Sequence, residues 1–74
     1  MDMFFEIYDR NAKESLKVNV TQIRTYSAQD QTNKDKSITY LIVYGLTGNR
    51  YIEEEFTDVS TRDAKLKELA QMAL

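Results

Sequence analysis

The 74-residue chain has no cysteine, no histidine, no proline and no tryptophan, and only two glycines. Without cysteine there is neither a disulfide nor a thiolate zinc site, so the staples that hold small secreted domains together are missing. Without histidine the usual general base at neutral pH and the commonest metal ligand are gone, and no hydrolase-type triad can be assembled. Gly45 and Gly48 are too few and badly spaced for a phosphate loop, and no GxxxxGK[ST] run occurs. No basic stretch followed by an apolar core opens the sequence, and no apolar run approaches the roughly 18 residues of a membrane helix. No catalytic, metal-ligating or cofactor-binding residue is therefore expected, and the expectation is a non-enzymatic protein outside the membrane. A reducing, cytoplasmic location fits.

Charge of one sign is also lacking. Ten Lys+Arg against twelve Asp+Glu give a net charge of -2, which supplies no overall attraction for a polyanion. Nucleic-acid binding would need a local basic patch.

What the sequence does contain is one stretch, Ser37 to Leu46 (SITYLIVYGL), that reads as a strand with apolar side chains on both faces. Alternation places Ile38, Tyr40, Ile42, Tyr44 and Leu46 on one side and Thr39, Leu41, Val43 and Gly45 on the other. Met3 to Tyr8 reads as a first strand with Met3, Phe5 and Ile7 facing the core, followed by a turn-rich segment from Asp9 to Ser15. In Leu16 to Tyr26 the alternation Leu16, Val18, Val20 slips before Ile23, which predicts a bulge or bend near Asn19 to Gln22 between two strand pieces. Ser27 to Lys36 carries no large apolar residue and reads as a mobile loop. Thr47-Gly48-Asn49 is a hairpin signal leading into a fourth strand, Arg50 to Thr57, whose charge suits a sheet edge and whose Glu54 falls beside Ile52 and Phe56.

Ser60 to Asp63 resembles a capping box, after which Leu66, Leu69, Ala70 and Ala73 form one apolar helical stripe, with Lys65, Lys67 and Glu68 elsewhere on the surface. Asp63 and Lys67 stand at a favourable i,i+4 spacing. The expected architecture is α+β: one domain over residues 1–74, a four-stranded antiparallel meander followed by a C-terminal helix packed on one face (ββββα).

One helix can cover one sheet face. The second face of the central strand, Thr39, Leu41 and Val43, is then the candidate interface for a protein partner or for a second copy in a homodimer. The alternative is a stacking platform for single-stranded nucleic acid, built from Tyr40 and Tyr44 with Lys17, Arg24 and Arg50. Glu53 and Glu55 share a face at about 6.5–7 Å, a spacing two acid catalysts could use. A solvated, aggregation-resistant edge explains the same run more simply.

The order LKVNVTQI, ITYLIVYGLTGNRYIEE and a closing helix resembles small bacterial and phage proteins. Over Leu16 to Phe56 it is similar to the FlbD type of flagella-associated protein, with a longer loop at Ser27 to Lys36. In strand and helix order it is similar to coactivator-type single-strand DNA binders, without their basic surface. Neither resemblance carries a site residue onto this chain.

Overall fold

The computed structural model describes residues 3–73. Strands β1 (Phe4–Asp9) and β2 (Glu14–Asn19) form an antiparallel hairpin, and β3 (Ile23–Thr32), β4 (Ile38–Leu46) and β5 (Arg50–Phe56) form a three-stranded antiparallel sheet in that order. Helix α1 (Val59–Met72) closes the chain. The α+β class, the antiparallel pairing and the C-terminal helix agree with the sequence reading. The single four-stranded meander does not: the strands divide into sheets of two and three.

The division falls where the alternation slips. Val20–Gln22 form a 3-10 turn, and the Asn19 side-chain oxygen caps it by accepting from the Thr21 N–H at 3.0 Å and the Thr21 hydroxyl at 2.8 Å. Such local side-chain bonds compete with the ladder and end β2. Leu16 and Val18 thus belong to one sheet and Ile23 to the other, so the expected bend is a break between sheets, and the ladder register also shifts just after it, between Ile23 and Thr25.

The second correction concerns Ser27 to Lys36. Ser27–Thr32 continue β3 in register with β4, down to Thr32 opposite Ile38. Every residue from Arg24 to Thr32 is exposed. The ladder is a backbone interaction and holds this polar stretch without any side chain to bury. The connection shrinks to a turn in which the Asn33 N–H donates to the Ser37 carbonyl at 2.8 Å and Lys36 adopts φ 67°. The other two connections follow the sequence reading. Asp9 Oδ1 accepts from the N–H groups of Asn11 and Ala12, and Gly48 and Asn49 supply φ values of 83° and 59° between β4 and β5.

The core gathers Phe5, Ile7 and Val18 from the hairpin, Ile42, Tyr44, Leu46 and Ile52 from the sheet and Leu69 from the helix. Helix α1 begins two residues earlier than the capping box implied. Asp58, not Ser60, is the N-cap and accepts from the Thr61 N–H at 2.7 Å, while the Ser60 hydroxyl donates to the same carboxylate. Of the expected stripe, Leu69 is buried, Leu66 and Ala70 are half-buried, and Ala73 is exposed at the C-cap. The inward face is extended toward the N-terminus by Arg62 and Lys65 instead. Asp63 takes the Arg62 guanidinium at 3.0 Å as its ion pair rather than Lys67.

Candidate interaction surface

The register fixes which side chains share a face. On β4, Thr39, Leu41, Val43 and Gly45 lie opposite Gln31, Gln29, Ser27 and Thr25 of β3, and the last three of them lie opposite Glu55, Glu53 and Tyr51 of β5. The other face carries Tyr40, Ile42 and Tyr44 beside Ile52, Glu54 and Phe56, and this is the one the helix covers: Leu69 packs in its core, and Arg62 stands 5.5 Å from the Tyr40 ring centroid. Thr39, Leu41 and Val43 therefore occupy the face opposite the helix. Leu41 is 3% exposed although it lies outside the main core, and Val43 and Thr39 are half-buried. The exposed apolar area on this face comes from β5, where Tyr51 is 69% exposed.

Gly45 shapes the end of this face. A Cβ there would run into Thr25 Oγ1 and come within 3.2 Å of the Tyr51 ring, so the close approach of these cross-strand neighbours requires glycine. Beside it is a shallow notch of about 200 Å³ whose rim includes Arg24, Asn49 and Tyr51. Farther along, Glu53 and Glu55 bring negative charge, and Arg10 reaches Glu55 at 3.8 Å. Most of the open face is hydroxyl, amide and carboxylate, as expected of an antiparallel sheet with one solvated side.

The residues grouped for nucleic-acid stacking are not brought together. Tyr44 is fully buried, Tyr40 lies half-buried beneath Arg62, and Lys17 stands on β2 in the other sheet. Arg24 and Arg50 are exposed near the Gly45 end of the three-stranded sheet, where Arg50 pairs with Leu46. Tyr40 and Tyr44 both lie on the covered face because alternation puts them with Ile42, the residue the helix buries, and only Tyr44 joins the core.

Two buried charged residues sit on the covered face, each with several partners. Glu54, 6% exposed, accepts from the Tyr44 hydroxyl at 2.7 Å, from the Lys65 ammonium at 2.6 Å and from the Tyr8 N–H at 3.2 Å. Burial, reinforced by the hydrogen bond to this carboxylate, holds the Tyr44 phenol protonated far above its ordinary range. Lys65 was expected on the surface. Its stem instead carries the ammonium inward over the rings of Phe5 and Phe56, at 5.2 and 5.8 Å. Arg62, 6% exposed, pairs with Asp30 and Asp63 and donates to the Gln29 carbonyl at 3.3 Å. The hydrogen bond that the guanidinium donates to Asp30, ahead of the burial that opposes it, raises the guanidinium pKa further.

The sequence places Glu54 beside Ile52 and Phe56, but its run reads as a solvated edge; the structure instead buries this carboxylate. Nothing in the sequence marked Lys65 as its counterpart on the helix, or Arg62 as a buried charge beside Asp30, except that both continue the Leu66–Leu69 stripe at helical spacing.

Among the described residues no helix is long and apolar enough to cross a membrane. Comparison with known proteins gives no relative: no family model, no curated protein and no solved structure matches this chain.

Proposed function

We propose that this chain is a small non-enzymatic interaction protein that holds a protein partner, or a second copy of itself, against the sheet face opposite the helix. One observation carries the reading: helix α1 and both buried charges lie on the Tyr40–Ile42–Tyr44 face, and among the described residues no helix or strand covers the other face of the three-stranded sheet. On that face Tyr51, opposite Gly45 and diagonal to Val43, offers a large exposed ring, and tyrosine is enriched where surfaces meet. Leu41 supports the face from within rather than presenting itself to a partner.

Sedimentation equilibrium over a range of protein concentrations tests the self-association branch. The expected result is a mass that rises above the 8.7 kDa of one chain and returns to it in Val43→Asp and Tyr51→Ala. For the partner branch, cross-linking in the source cells followed by reconstitution from pure components should give a complex that both variants weaken. A chain that stays at 8.7 kDa and a reconstituted complex indifferent to both variants would sink the reading. Tyr51 is exposed enough that its removal leaves the fold intact, so the test does not rest on Val43→Asp alone.

A further inference from the structure

The β1 edge turned toward β5 is occupied along only half its length. The Tyr8 N–H bonds Glu54, and the Arg10 N–H bonds the Glu53 carbonyl at 3.0 Å, so both point away from β2. In an antiparallel ladder outward-pointing residues alternate with paired ones, which puts the N–H and C=O of Phe4 and Glu6 on the same outward edge. Among the described residues neither of these two N–H groups donates to another element. There the edge faces a cleft of about 370 Å³ lined by Phe4, Phe5, Glu6, Lys65 and Glu68. One wall is a strand edge and the other the flank of a helix.

We propose that this cleft takes an extended segment of a protein partner by strand addition, with a basic side chain of that segment held between Glu6 and Glu68. Strand addition supplies the missing partner for unpaired edge groups, and the side-chain pockets beside the edge supply selectivity. The span from Phe4 to Glu6 is about 7 Å, one repeat of an added strand. Lys65 already spends its ammonium on Glu54, whereas Glu6 and Glu68 form no salt bridge among the described residues, so the unmatched charge of the cleft is negative. Phe4, 58% exposed, offers a ring at the mouth for the alkyl stem or ammonium of a bound lysine. This surface is separate from the open sheet face, and the two can fail independently.

The probe is a capped pentapeptide of threonine and valine with lysine at its second and fourth positions, titrated into the full chain and followed by amide NMR. Its twin carries glutamate in place of lysine. Saturable shifts at Phe4, Glu6, Lys65 and Glu68 are expected with the basic peptide alone. At nine-tenths saturation the Glu6 amide should exchange about tenfold more slowly with solvent. Glu6→Pro removes an outward donor without touching a β1–β2 bond, and should abolish the shifts while Phe5 and Ile7 remain protected. Should that variant unfold, Glu6→Lys combined with Glu68→Lys should reverse the preference to the acidic twin. The proposal is overturned by the absence of saturation, by equal binding of both peptides, by shifts confined to Val43 and Tyr51, or by binding that survives the charge reversal unchanged.

Discussion

The two faces of the three-stranded sheet are built from the same three strands and differ in almost every physical respect. On the covered face Ile42, Tyr44 and Ile52 are fully buried, and the buried charges are tied to named partners. Glu54 has three donors and Arg62 two carboxylates and a carbonyl. On the open face a single leucine is buried among serine, glutamine and glutamate neighbours, and a tyrosine stands in solvent. The difference teaches that in this chain polarity does not assign a residue to the outside. A charge is buried where a partner can be brought to it, since an unpaired one would cost several kcal/mol.

The sharpest way to break the contrast is Glu54→Ala. It leaves Lys65, the Tyr44 hydroxyl and the Tyr8 N–H without an acceptor, and a loss of about 3–5 kcal/mol is expected in urea unfolding, the range for breaking a buried pair. A loss under about 1 kcal/mol would mean that water replaces the carboxylate at little cost. Next in size, Ile42→Ala should cost about 3 kcal/mol and Leu41→Ala about 2, because side chains on an open face can relax into the space left behind. Equal losses would show that the open face is packed as firmly as the core. The smallest effect concerns the cover itself. Hydrogen bonds from the Thr61 N–H, and then from the Ser60 and Thr61 hydroxyls, hold the Asp58 carboxyl below its ordinary pKa. The stabilisation from this cap is therefore complete above the unfolded-state value of about 3.9 and lost as pH falls through the lower folded value. Asp58→Ala should remove that part of the acid-side slope in a thermal melt and leave the slope above pH 5 unchanged; an unchanged acid limb would mean that the cap adds nothing.

The parts of the fold written in local pattern were legible. Alternation in SITYLIVYGL separated Thr39, Leu41 and Val43 from Tyr40 and Tyr44, and the Gly48-Asn49 turn and the closing helix lie where their residue types place them. What the sequence did not disclose depends on partners far along the chain. Which face the helix covers is decided by where Arg62 finds Asp30 and Lys65 finds Glu54, pairs separated by 32 and 11 residues. The run from Ser27 to Thr32 looked like a loop because it buries nothing. A ladder with β4 needs only backbone, and no hydrophobic pattern records it. The division into two sheets was visible as a slip of phase, but phase alone does not distinguish a bulge from a 3-10 turn. Asn19, whose side chain caps that turn, was the residue that could have decided it.

The 3-10 turn at Val20–Gln22 also has a consequence in time. Each strand on either side pairs only with a neighbour in sequence, so the hairpin and the meander close short loops, the kind of contact that forms fast. The clasp between them, from the Tyr8 N–H to Glu54, spans 46 residues. The two pieces should form first and dock last, which makes Glu54 a determinant of how long the folded chain survives rather than of how quickly it appears: Glu54→Ala should speed unfolding and leave refolding nearly unchanged, and slowed refolding would instead place the clasp in the transition state.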